Sequence, residues 1–186
     1  MESVNLPPSS QSRLIGLSRR TLESFVRNET QRAESIDDPC LLNSDYGAFV
    51  SLHRQEELRG CIGTCFPTNP LYETVIEMTE AAASRDRRVP AIVSSELPEI
   101  RIDISVLSPL RPVADPLRLE IGKHGLYVAS DGKHGVLLPQ VATQYGWDME
   151  TFLSQTCVKA GLCKSAWKEP GAKVSSFTAL ILEEKR

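Results

Sequence analysis

The sequence predicts an α+β fold, a mainly antiparallel sheet flanked by helices, on three observations. Residues 100–107 alternate strictly, with Ile100, Ile102, Ile104 and Val106 set against Arg101, Asp103 and Ser105, which is the pattern of a strand with one face in the core and one toward water. The other strand-like runs come as hairpins, one of them closed by Asp131-Gly132, a dipeptide that favours the tight type I′ reversal. Helical periods are inserted between hairpins rather than after every strand, which argues against a doubly wound parallel sheet.

Taken in order, residues 10–29 read as an amphipathic helix. Leu14, Ile15, Leu22, Phe25 and Val26 share one side, and Arg13, Arg19, Arg20 and Arg27 lie mostly opposite, interleaved with Glu23, Glu29 and Glu34. Turn residues at 37–39 and 43–45 follow. Residues 47–52 then read as a strand, and residues 58–65 as its partner across a polar loop that contains His53. Asn69 as N-cap and Pro70 at the first helical position begin a helix with Leu71, Val75, Met78 and Ala82 as its buried stripe. Charged residues 85–88 and Pro90 stop it. After the strand at 100–107, prolines 109, 112 and 116 mark a linker between two lobes. The second hairpin comprises residues 126–130 and 136–138. Asp148 caps a helix lined by Met149, Phe152, Leu153, Cys157 and Ala160, and Gly161 takes the left-handed position that ends it. Residues 177–182 form a closing strand.

Length and composition narrow the function classes. A chain of 186 residues with 41% hydrophobic and 24% charged residues has an ordinary globular balance, sufficient for one well-cored domain. Residues 1–13 are expected to be a flexible N-terminal segment and residues 14–186 a single domain. The formal net charge of -3 lacks the cationic excess that phosphate neutralisation requires, so no nucleic-acid partner is expected. The first twelve residues are polar with two prolines and lack the apolar core of a secretory leader, and no apolar run reaches the roughly 18 residues of a membrane span. With five cysteines, an odd number, the expectation is a reducing cytoplasm and no membrane association.

The segment Leu58-Arg59-Gly60-Cys61-Ile62-Gly63-Thr64-Cys65 is the most unusual in the chain. Glycine weakens a strand interior and marks a bulge or a close approach by backbone or ligand. A regular strand places Arg59, Cys61, Gly63 and Cys65 on one face and Leu58, Gly60, Ile62 and Thr64 on the other. A guanidinium beside a thiol raises its thiolate fraction, as a nucleophilic or redox cysteine requires. The competing interpretation is a buried, inert cysteine with glycines that serve sheet curvature. Metal binding gains little support. Cys61 and Cys65 are separated by three residues and Cys157 and Cys163 by five, unlike the tighter pairs of zinc knuckles, and the position that would complete a radical S-adenosylmethionine cluster motif is Thr68. His53, His124 and His134 lie near loops or glycines, and none is adjacent in sequence to Cys61. Walker, GxGxxG, HExxH and GxSxG motifs are absent, so no cofactor is expected.

The chain resembles the AMMECR domain family, known in bacteria and archaea as protein A of the AmmeMemoRadiSam system. The likeness rests on Gly47-Ala48-Phe49-Val50-Ser51-Leu52, on Leu58-Arg59-Gly60-Cys61-Ile62-Gly63-Thr64, and on Ala81-Ala82 leading into Asp86 and Pro90. It continues through Ile104-Ser105-Val106-Leu107-Ser108-Pro109, through Gly135-Val136-Leu137-Leu138-Pro139-Gln140-Val141-Ala142, and through Trp147-Asp148, Phe152-Leu153, residues 157–162 and Trp167. The resemblance implies a larger and a smaller lobe with a cleft between them, lined by the 58–64 motif. It also implies a Memo-like protein and a radical S-adenosylmethionine protein as partners. The family's Asp-Pro-Arg-Phe stretch is here Asp86-Arg87-Arg88-Val89, which keeps the acid and an arginine but loses the proline and the ring.

Two functions follow. In the first, the chain is an accessory or binding protein whose partner or ligand meets Arg59, Gly60, Gly63, Thr64, Asp86 and Arg88, while Cys61 fills a small volume. In the alternative, Cys61 is the catalytic nucleophile or redox thiol, tuned by Arg59, with Gly60 and Gly63 admitting the substrate. Both place Asp86 and Arg88 near the motif.

Overall fold

In the computed structural model, residues 3–30 and 35–185 are described; Met1 and Glu2 of the expected N-terminal segment, and residues 31–34 and Arg186 of the expected domain, lie outside them. The chain divides into two compact units, one formed by Val4–Leu107 with the chain from Leu180 onward, the other by Ser108–Ala179. The division falls just before Pro109.

The first unit contains helix α1 (Pro8–Arg27), strands β1 (Gly47–Arg54) and β2 (Glu57–Thr64), helix α2 (Leu71–Ser84) and strand β3 (Ile100–Leu107). β1 lies between β2 and β3 and pairs antiparallel with both. Alternation along the strands sends Ala48, Val50 and Leu52 of β1 and Ile100, Ile102, Ile104 and Val106 of β3 into the core. There they meet Leu14 and Leu22 of α1 and Leu71, Val75, Met78 and Ala82 of α2. Each large side chain so buried contributes about 1.5–3 kcal/mol, and the polar Ser18 and Thr79, joined between α1 and α2 at 2.8 Å, are buried as a satisfied pair. Leu182 and Glu184 belong to the same unit: Glu184 donates its N–H to the Ile102 carbonyl at 3.0 Å, and its carboxylate pairs with Arg19 of α1.

Helix α1 begins at Pro8, which supplies a preset φ at the first helical position, so it takes in part of the segment 1–13. It ends at Asn28, whose left-handed φ of 55° caps the last carbonyls. At α2 the expected cap shifts by one residue. Pro70 occupies the N-cap and makes no side-chain cap bond, while Asn69 contributes its main-chain carbonyl to the Thr74 hydroxyl at 3.2 Å.

The second unit holds β4 (Arg111–Pro112), β5 (His124–Ser130), β6 (Lys133–Leu137), helices α3 (Pro139–Tyr145) and α4 (Met149–Lys159), and most of β7 (Lys173–Glu183). β5 pairs with β6 and with β7, and β4 pairs with β7, all antiparallel. Asp131 and Gly132 have φ of 51° and 74°, as a type I′ turn demands. Asp148 accepts the Thr151 N–H at 2.8 Å as the cap of α4. Leu126, Val128, Phe152, Leu153 and Cys157 build this core. Gly135 lets α4 approach β6, since a Cβ there would lie 2.6 Å from the Thr156 carbonyl. Pro112, read as linker, lies in β4 instead. Helix α3 has too few residues for a period to show, and its sequence signals are Pro139 at the first position and Gly146 at φ 64° after the last.

The α+β class and the mainly antiparallel sheet are what the structure holds. Gly60 gives a direct check on its packing, because a Cβ there would overlap the Ala82 carbonyl of α2. Gly60→Ala is expected to lower stability by about 1–3 kcal/mol, read from urea midpoints. Gly171→Ala, where nothing lies within 4 Å, should leave the midpoint unchanged.

Candidate functional site

The chemistry-bearing residues of the first unit gather along β2 and on the side of β1 and β3 opposite the core. The β1–β2 hairpin turns over Gln55 and Glu56, with Gln55 at φ 55°. Its register then slips. Leu52 faces Gly60 but His53 faces Leu58, so Arg59 is the extra residue of a β-bulge. The bulge corrects the expected neighbour relation between Arg59 and Cys61. Arg59 is buried, and its guanidinium grips Glu96 from Nε to Oε1 at 2.8 Å and from Nη2 to Oε2 at 3.1 Å. Glu96 also accepts the Val93 N–H at 3.1 Å. The Arg59 pKa is raised, chiefly by the hydrogen-bonded Glu96 carboxylate, and Arg59 in turn holds Glu96 below the usual carboxylate range. Arg59 is therefore a brace between β2 and the turn at Ser94–Glu96.

The cation that does reach Cys61 is Arg88. Its Nη2 donates to the Cys61 carbonyl at 3.2 Å and to Asp86 Oδ2 at 2.7 Å, while the same Asp86 oxygen accepts the Cys61 N–H at 2.9 Å. Asp86 is folded back on Arg88, with Oδ1 accepting the Arg88 N–H at 3.1 Å and Nε–H at 2.9 Å. An outer strand leaves a row of unmatched backbone groups, and here the two side chains supply at Cys61 the acceptor and donor that another strand would have provided. Arg88 holds the Asp86 carboxyl far below the usual carboxylate range despite burial. The Arg88 pKa is raised first by Asp86 and also by the Cys61 side chain. The Arg88 side chain is 57% exposed and Asp86 only 4%, so the clasp has a wet cation and a dry acid.

Since the Cys61 N–H and C=O point outward, its pairing with Ser51 is the narrow, non-hydrogen-bonded kind, in which side chains come close. Ser51 Oγ donates to Cys61 Sγ at 3.2 Å. Cys61 is half-buried. Ser51 is also the register partner of Asp103 on β3, so Cys61, Ser51 and Asp103 form one row across three strands. His53, two residues along β1 on the same face, has Nε2 at 3.4 Å from Asp103 Oδ2. Burial raises the Asp103 pKa, opposed by Arg101 and His53 and reinforced by Glu183. The other Asp103 oxygen is buried without a partner.

The remaining expected residues have packing tasks. Gly60 admits the Ala82 carbonyl, and Gly63 lies beneath the Phe49 ring, where a Cβ would overlap it. The Thr64 hydroxyl is engaged in a local turn, accepting the Phe66 N–H at 3.0 Å. Burial pushes the Cys65 thiol up to about 12. His124 is buried and accepts the Glu120 N–H, and His134 stacks on Tyr127 with centroids 5.8 Å apart. Sequence reasoning missed Ser51, Asp103 and Glu96 and placed His53 in a loop, although it is a β1 residue facing Arg101 of β3. Period-two alternation from Phe49 marks Ser51 and His53 as one face, but only the register joins that face to Cys61 and Asp103. Among the described residues no cluster of three His, Cys, Asp or Glu side chains could hold a metal ion.

The clasp carries a pH signature. The folded Asp86 pKa lies below its unfolded value near 3.9, so its stabilisation is complete above about pH 5 and is lost as pH falls toward the folded value. Between about pH 5 and pH 3 the urea midpoint of the wild type should fall more steeply than that of Asp86→Asn. Parallel curves would contradict the assignment.

The chain was compared with known proteins. It is similar to a protein of Thermococcus gammatolerans, 41% identical over 182 residues that cover 92% of this chain and 89% of the relative. It is also similar to a protein of Methanothermobacter thermautotrophicus, 38% identical over 177 residues with 92% of each covered. Among solved structures it is similar to the uncharacterised protein PH0010 from Pyrococcus horikoshii, with a TM-score of 0.85, 36% identity, and coverage of 93% of this chain and 90% of that one. The AMMECR1 family model matches residues 15–182, and with relatives this similar over nearly the whole length, the chain belongs to the AMMECR1 family.

Proposed function

We propose that the chain is an accessory or binding protein whose partner engages the Cys61 segment from its outer edge, with the exposed Arg88 guanidinium as the charged contact. The observation that carries this reading is the clasp. Asp86 and Arg88 immobilise the main chain of a half-buried residue, and Arg59 with Glu96 immobilises the next turn, so the surface is rigid before anything binds it. Preformed surfaces lose less ordering entropy on association. The Cys61 sulfur receives a hydroxyl, Ser51, as its hydrogen-bond partner, which is a packing arrangement as much as a chemical one.

The family resemblance supplies the partners, a Memo-like protein and a radical S-adenosylmethionine protein. The formal charge of -3 speaks against nucleic acid, and among the described residues no helix is long and apolar enough to cross a membrane. A cytoplasmic location is supported by five free cysteines, the state a reducing compartment maintains.

A second reading, thiol chemistry at Cys61, is favoured by the same sulfur's surroundings. The Ser51 hydroxyl donates to the sulfur at 3.2 Å and the Arg88 guanidinium reaches the Cys61 carbonyl at 3.2 Å, a donor and a cation of the kind that reactive cysteines have nearby. In that reading Arg88 takes the role expected of Arg59.

Titration calorimetry with the purified Memo-like and radical S-adenosylmethionine proteins of the same organism separates the two. Arg88→Ala is expected to weaken binding by about tenfold, a loss typical of a charged interface anchor, while Cys61→Ser retains it. Binding that is lost in Cys61→Ser and kept in Arg88→Ala, or no binding by the wild type, would overturn the accessory reading.

A further inference from the structure

The turn that follows α2 carries three arginines around one acid. Arg85 is the C-cap of the helix, and Arg87 and Arg88 follow Asp86. All three arginines are exposed, whereas Asp86 is buried. The one carboxylate of the turn is therefore already committed. It takes the Arg88 Nε–H and one Nη2–H, and the other Nη2–H goes to the Cys61 carbonyl. A guanidinium has five N–H donors, so the two on Nη1 remain, on a side chain that is 57% exposed and held in one orientation by Asp86. Among the described residues the Arg85 and Arg87 side chains have no hydrogen-bond or ion-pair partner. A cation at a helix C-terminus is stabilised by the dipole, which accounts for Arg85 but not for Arg87 or for Nη1 of Arg88.

We infer that the 85–88 turn is a receptor for the carboxylates of an acidic, extended segment of a partner protein, with Arg88 as the fixed central contact and Arg85 and Arg87 beside it. The inference rests on the accessory reading of this edge and adds the chemistry of the partner. The Cα atoms of residues 85 and 88 are at most roughly 11 Å apart, and alternate residues of an extended strand are roughly 7 Å apart. Two acidic side chains spaced by one residue therefore match the span of the turn. Cations this close repel one another, since the screening length is about 8 Å at physiological ionic strength, and an anionic segment relieves that repulsion where a neutral one does not. Arginine also suits the task better than lysine, because its planar fork matches a carboxylate. The clasp has already fixed the Arg88 side chain, so little rotamer freedom is left to lose on binding. Nucleic acid would offer anionic oxygens too, but the chain as a whole has a formal charge of -3, which opposes a long polyanion more than a short acidic segment.

The test is a titration of the full chain with acetylated, amidated hexaglutamate, followed by the backbone and guanidinium N–H signals in NMR spectra. Saturable shifts centred on Arg85, Arg87 and Arg88 are expected, and none with hexalysine. The double variant Arg85→Gln/Arg87→Gln leaves the clasp in place, so an unmoved Cys61 amide signal reports that it folds. It should bind hexaglutamate about fivefold more weakly and with a flatter salt dependence, as loss of exposed charge contacts entails. Equal affinity in the double variant, shifts centred elsewhere, or tighter binding of an oligothymidylate of the same charge would overturn the inference. Competition separates it from the reading beneath it. If the Memo-like or radical S-adenosylmethionine protein binds, binding falls in Arg88→Ala, and excess hexaglutamate does not compete, this inference fails and the accessory reading stands. Hexaglutamate bound at the turn with neither protein bound keeps the carboxylate receptor and overturns the choice of those two partners.

Discussion

The structure of the candidate site depends on how one edge strand is finished. β2 ends the sheet of the first unit, and at Cys61 its outward N–H and C=O are met by the Asp86 carboxylate and the Arg88 guanidinium. Both backbone groups are thereby satisfied by charged partners, which form stronger hydrogen bonds than neutral ones, and the ion pair closes on itself through three hydrogen bonds between the two residues' own atoms. The consequences extend inward. An outward-pointing Cys61 makes its pairing with Ser51 narrow, and the narrow pairing brings hydroxyl and sulfur together. The departure of residues 86–89 from the family's Asp-Pro-Arg-Phe pattern leaves this clasp intact, since it uses only the acid and the arginine that are kept.

Two further devices set the surface. The bulge at Arg59 turns a residue that regular alternation would place beside Cys61 into a brace on Glu96. Glycines 60 and 63 then let the strand approach the α2 main chain on one face and the Phe49 ring on the other. The motif is thus mostly architecture: the arginine forms the bulge and its brace, two glycines permit close packing on both faces, the threonine closes a local turn, and the side chain left in a polar setting is the cysteine.

Much of the fold was legible in the sequence because local rules sufficed. Strict alternation predicted β3 to the residue, Asp131-Gly132 predicted the second hairpin, and Asp148 with Gly161 predicted the limits of α4. Helix α3 was missed because two turns give no measurable period, and the start of β7 because its first residues, Lys173, Ser175 and Ser176, are polar although Ser176 is fully buried. The candidate site was legible only in part. Cys61, Asp86 and Arg88 could be named from the motif and the resemblance, but the exchange of Arg88 for Arg59 follows from a one-residue slip in register, which no pattern along a single strand reveals. Ser51, His53 and Asp103 join the site through pairing between strands, and Glu96 through a long side-chain reach.

The clasp can be examined without reference to any activity, through amide hydrogen exchange at Cys61 followed by NMR. With Asp86 accepting its N–H at 2.9 Å, the Cys61 amide should exchange slowly in the wild type. It should exchange much faster in Asp86→Ala, while the Val50 amide in the central strand keeps its protection. Equal protection of Cys61 in both proteins would show that the edge is held by something other than this carboxylate, and would contradict the account.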